Sequence, residues 1–211
     1  MPSLKSDISV RAFRHDGKER YRYESSALAA ATFLLLVRGL PLDEISVETP
    51  MGDFYVNFTE NGGKCGIILR KCKILCTNKA ILLGGVELLC TETLTINGTV
   101  RVFFCEDSGC FSKESLSALS LADEKNNIVG ALAVSVKNGY ASVKAHSVNS
   151  ERESIGCDML LAAASALERS NQLCFLTAFY FFGTEYRISS VCGDFLVSGY
   201  VKPMIFEAAS L

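Results

Sequence analysis

From Ala27 to Val37 the chain runs Ala-Leu-Ala-Ala-Ala-Thr-Phe-Leu-Leu-Leu-Val without a single charge. Ser25 and Ser26 stand just ahead of it, and a serine hydroxyl there can accept a bond from a free N–H of a first helical turn. Gly39 and then Pro41 supply the stop. The segment predicts a helix over about 27–37 that is apolar on every side. Such a helix persists only where neighbours enclose most of its surface. It is too short to cross a bilayer, which takes ~20 residues. A curved sheet wrapped around the helix meets the requirement.

The rest of the chain supplies the strands. Residues 7–23 read as a hairpin: Ile8, Val10 and Ala12 alternate with polar neighbours, Asp16-Gly17 turns, and Tyr21 and Tyr23 resume the alternation. A clearer hairpin runs over 45–58, turning at Pro50-Met51-Gly52-Asp53. Further strands are expected over 64–69, 72–76, part of 80–90, 92–97 and 100–105. Ser112 opens a short helix to about residue 121. Asn138-Gly139 is a strong hairpin signal between strands 128–137 and 140–147. A second helix follows over about 158–169, then strands 174–182, 185–191, 195–200 and 203–207.

These elements repeat. Leu28-Ala29-Ala30-Ala31-Thr32 matches Leu161-Ala162-Ala163-Ala164-Ser165. Each helix is followed by a hairpin whose turn carries Gly52 or Gly183. A further hairpin then carries Cys65-Gly66 or Cys192-Gly193. A unit of this length occurring twice predicts two related subdomains, 1–90 and 91–211, meeting across a cleft.

Composition excludes several classes. Apolar residues make up 49% and charged residues 21%, a globular balance, and the net charge of −2 gives no general attraction to nucleic acid or anionic membrane. The region before Ala27 is charged and aromatic, unlike a secretory leader, so a cytoplasmic location is expected. Nine cysteines are present. The count is odd, no Cys-x-x-Cys pair occurs, and His15 and His146 stand alone, so no metal site is expected. Most of the cysteines lie in apolar runs and read as reduced core thiols. The aromatic run Phe179-Tyr180-Phe181-Phe182 reads as strand and core.

Several stretches resemble the diaminopimelate epimerase family. Ala29 to Phe58 is similar to its first half, with Arg38-Gly39-Leu40 and then Ile45 to Gly52; so is Phe13 to Gly17 with its Asp-Gly turn. Glu153-Ser154-Ile155-Gly156-Cys157 before the alanine-rich helix resembles the second catalytic segment. Val201-Lys202-Pro203 to Glu207 resembles the closing strand. The likeness begins at about residue 7. It implies an α/β (α+β) fold of two pseudo-symmetric subdomains, each a curved β-sheet around a central helix. It also implies cofactor-free inversion at an amino-acid α-carbon. A thiolate on one face removes the proton and a thiol on the other returns one. A helix N-terminus lowers a thiol pKa and its N–H groups hold a carboxylate.

The departures from that family shape the functional expectation. Its first cysteine is replaced by Tyr23 or Glu24, depending on the anchor of the alignment. The Gly-Thr-Gly after its second cysteine is Asp158-Met159-Leu160 here, and Asp158 opposes a thiolate at Cys157. The family's Glu-Arg pair falls near Val148-Asn149, its asparagine before the first turn falls on Arg14, and its Gly-Asn-Pro-His segment survives as Asn97-Gly98-Thr99. Its N-terminal strands with a Gly-Asn-Asp-Phe motif have no counterpart. By this resemblance Cys157, Glu24 and Tyr23 are the candidate catalytic residues. Ser25, Ser26, Asn97, Glu153, Ser154 and Asp158 are the candidate substrate contacts. The expectation is a divergent, N-terminally shortened relative that binds a small amino-acid-like or carboxylate metabolite, or a partner protein, without two-thiol epimerisation. The alternative is an active cofactor-independent racemase, epimerase or small-acid isomerase using Cys157 with Glu24 or Tyr23. No cofactor is expected, and a homodimer is left open.

Overall fold

The computed structural model describes residues 5–13, 17–19, 27, 30, 31, 33, 34, 44–50, 52–58, 65–95, 98–121, 127–148, 155–173, 178–181 and 184–199. The chain divides into two compact units, one of Met1–Leu69 with Leu196–Leu211, the other of Arg70–Phe195.

In the first unit β1 (Ile8–Ser9), β2 (Glu44–Thr49), β3 (Gly52–Phe58) and β4 (Cys65–Leu69) lie in that order, followed by β12 (Asp194–Gly199), which enters the unit at Leu196. The hairpin expected over 45–58 is present, with Thr49 paired to Gly52. Gly66 lies so close to β12 that an added Cβ would stand 2.9 Å from Leu196 Cδ1. The expected first hairpin is only half right. Ile8 and Ser9 pair in parallel with Val47 and Glu48 of β2. The turn at Gly17 closes locally through the Phe13–Glu19 bridge and an Arg11–Glu19 ion pair of 2.6 Å. The alternation at Ile8 and Val10 is spent on the core instead, where both pack against Ile45, Val47, Val56, Ala27 and Ala31. Asp7 fixes the register: its Oδ2 accepts from Ser46 N at 2.9 Å and Ser46 Oγ at 2.7 Å. Tyr21 and Tyr23 lie outside the described residues.

Ala27, Ala30, Ala31, Phe33 and Leu34 are helical, as expected. The enclosure is not complete, however. Ala27 and Ala31 are fully buried, one turn apart on the same face, whereas Phe33 is 64% exposed. Residues at i and i+4 share a face and i+6 points away, so this helix is covered on one side and bare at Phe33.

The second unit is a seven-member run in the order β11 (Thr184–Val191), β10 (Ala178–Phe181), β9 (Tyr140–Ser147), β8 (Ile128–Lys137), β7 (Gly98–Phe104), β6 (Val86–Thr95), β5 (Lys73–Leu83). Strands β8 and β9 match their expected bounds, joined by Asn138-Gly139 with both residues at positive φ. The segments expected as four short strands between 72 and 105 are three long ones. Gly84-Gly85, with φ of 56° and 83°, is the two-residue turn between β5 and β6. Two consecutive positive φ values define the hairpin turn that suits twisted strands, and glycine reaches them without strain.

Two parallel pairings, β7 with β8 and β9 with β10, each require a crossover. The first carries a 3₁₀ turn (Ser108–Cys110) and the helix Lys113–Leu121, capped by Ser112 Oγ accepting from Ser115 N at 3.0 Å. The second carries the helix Ile155–Arg169. β7 and β9 run in opposite directions, so right-handed crossovers put the two helices on opposite faces. The side chains agree. Leu116 and Leu119 pack on Ile81, Cys90, Phe103, Ala131 and Ala133. Gly130, one residue before Ala131 and facing the other way, lies against Met159. On the first face Arg101, 0% exposed, donates from Nε to Glu92 Oε1 (3.1 Å) and from Nη1 to the Leu119 carbonyl (2.6 Å), and Lys79 Nζ reaches the same carboxylate at 2.9 Å. A buried carboxylate between two cations thus ties the sheet to the end of the Lys113 helix.

The cysteine reading needs correction. Among the described residues Cys90 is buried, Cys72 and Cys105 are half-buried, and Cys76, Cys110 and Cys192 are exposed. Cys76 lies on a strand, whose residues alternate faces, while Cys110 and Cys192 sit in turns at the surface. The aromatic run needs the same correction in part: Phe179 is buried in the core and Tyr180 beside it is exposed. No helix among the described residues is long and apolar enough to cross a membrane.

Candidate functional site

The helix Ile155–Arg169 starts three residues before the expected position. Cys157 therefore lies inside the first turn, where the first four N–H groups have no partner within the helix and the dipole favours negative charge. Its side chain is outside the described part of the structure. Asp158 follows it, also in the first turn, and is only 2% exposed. From Asp158 to Leu167 every residue is buried. The helix is thus seated on all sides immediately after the cysteine, and the position of Cys157 along the chain is fixed by that packing.

The sheet beneath this end of the helix is shaped to receive it. An added Cβ at Gly130 of β8 would collide with Met159 and stand 2.6 Å from the His146 carbonyl. The β8–β9 ladder continues past Ser147, with Val148 N donating to Val129 O at 3.0 Å. His146 on β9 pairs with Ala131. Partial burial, and then the charge of Lys113, hold its imidazole pKa below the ordinary value.

Of the other residues the sequence points to, Tyr23, Glu24, Ser25, Ser26, Asn97, Glu153 and Ser154 all lie outside the described residues. Cys157 and Asp158 are adjacent on one helical turn. Among the described residues no group of three or more His, Cys, Asp or Glu could hold a metal ion.

Two polar constellations went unread in the sequence. At the far end of the helix a shallow pocket of about 280 Å³ is lined by Lys71, Cys72, Ile74, Ser165, Glu168, Arg169 and Asn171. Lys71 Nζ donates to Glu168 Oε1 at 2.5 Å and Ser190 Oγ at 2.7 Å, and lies 4.9 Å from the centre of the Phe195 ring. Ser165 Oγ accepts from Cys72 N at 3.0 Å. These groups satisfy one another, which makes this end of the helix an anchor. Nothing in the spacing of Lys71 from Glu168 announces the pair. The Glu92–Arg101 pair was more accessible: a two-residue loop between Thr95 and Gly98 sets Glu92 opposite Arg101. Burial, then Glu92, pushes the neighbouring Cys90 thiol up to about 11, so it is a core thiol without nucleophilic character at neutral pH.

No protein-family model matches the chain, and no curated protein matches it at the sequence level. Solved structures do. A protein described as phenazine biosynthesis PhzC/PhzF from Clostridium difficile (strain 630) matches with a TM-score of 0.64 at 11% identity, over 96% of this chain and 78% of that one. A PhzF family protein from Enterococcus faecalis matches with a TM-score of 0.61 at 13% identity, over 91% and 74%. A hydroxyproline epimerase from Agrobacterium vitis, with bound trans-4-hydroxy-L-proline, matches with a TM-score of 0.51 at 10% identity, over 95% and 69%. At these identities the likeness is one of fold. These proteins share the diaminopimelate epimerase-like fold, and this chain has it too.

Proposed function

We propose, with the diaminopimelate epimerase-like fold as premise, that the chain binds a small amino-acid-like or carboxylate metabolite without the two-thiol epimerisation of that family. One observation carries the reading. Of the two segments that the family resemblance makes catalytic, one holds Cys157 in the first turn of the helix Ile155–Arg169, and the other, Tyr23-Glu24-Ser25-Ser26, contains no cysteine. Cofactor-free inversion needs an acid and a base on opposite faces. A helix N-terminus still offers N–H groups to a carboxylate without any chemistry. The duplication with bounds 1–90 and 91–211, a homodimer and a cytoplasmic location belong to the same proposal.

The second reading is an active isomerase that uses Cys157 with Glu24 or Tyr23. It draws on the epimerase among the fold neighbours. Incubation in deuterated water with L-proline, trans-4-hydroxy-L-proline and meso-diaminopimelate separates the two, with thermal shift reporting binding. Stabilisation by one of them without α-deuteration supports the binding reading. Deuteration with retained configuration, abolished in Cys157→Ala, shows a one-base remnant. Deuteration with inversion overturns the proposal in favour of the isomerase.

A further inference from the structure

We draw no further inference here: the strongest candidate, the exposed apolar strip of Leu82, Leu89 and Phe104 across β5, β6 and β7, is a sheet face for which nothing among the described residues shows what covers it.

Discussion

Two alanine-rich helices with nearly the same core pentapeptide meet different fates in this molecule. In the helix Ile155–Arg169 every residue from Asp158 to Leu167 is buried. In the helix that carries Ala27, Ala30, Ala31, Phe33 and Leu34, Ala27 and Ala31 are buried while Phe33 stands 64% exposed. The longer apolar run belongs to the less enclosed helix. Apolarity on all sides permits enclosure but does not produce it; neighbours with room for a backbone do. Alanine at 162, 163 and 164, together with the absence of a side chain at Gly130, lets the second helix lie close to its sheet.

The contrast can be broken most decisively with a charge. Leu167→Asp should cost several kcal/mol, since an unpaired carboxylate in an apolar enclosure loses its hydration without a partner. Phe33→Asp should shift stability by no more than about 0.5 kcal/mol, the ordinary range for exposed positions. Urea unfolding of both variants checks the pair, and equal losses would abolish the distinction. Gly130→Ala comes next, with an expected loss of about 1–3 kcal/mol from overpacking against Met159. Met159→Ala in the same chain should recover part of that loss, and a purely additive double mutant would assign the loss to the His146 carbonyl rather than to Met159. Ser165→Ala removes the acceptor of the Cys72 N–H and should cost about 1 kcal/mol. The smallest effect is on pH dependence. The folded state holds His146 below its ordinary pKa, so the unfolded chain binds the proton more readily. Its contribution is complete above the unfolded imidazole pKa and is lost as pH falls toward the folded value. His146→Gln should flatten the stability profile in that window and leave it unchanged at higher pH.

Much of this architecture was legible because local chemistry and tertiary structure agree. Asn138-Gly139 set β8 and β9 to their observed ends, and Ser112 caps the helix that it announces. Gly84-Gly85 carried an equally good hairpin signal, but the apolar run on both sides of it hid the strand boundaries. The register shifts around Cys76 and Lys79 broke the alternation that would have shown β5 as one strand. The start of the second helix was misplaced because aspartate suits both an N-cap and a first turn. Asp158 takes the second role. Parallel pairing of β1 with β2 could not be read from residues 7–23, since alternation shows which face is buried and not which strand lies alongside. The candidate site was legible only as far as Cys157 and Asp158. The helix start follows from local sequence, whereas the anchoring of its far end depends on Lys71 and Glu168, brought together from distant parts of the chain.

The first unit takes its last strand from beyond Leu196, with the whole of Arg70–Phe195 inserted after β4. During synthesis Met1–Leu69 leaves the ribosome with no β12 to cover β4, and it must wait through the translation of 126 further residues. An uncovered strand edge is a template for association with other chains. The inserted unit has all its strands β5 to β11 within its own span, so it can fold first. Once folded it replaces a long flexible loop with a fixed body, which lowers the entropy cost of bringing Leu196 back to Leu69. The connectivity therefore favours folding of Arg70–Phe195 before β12 closes on β4.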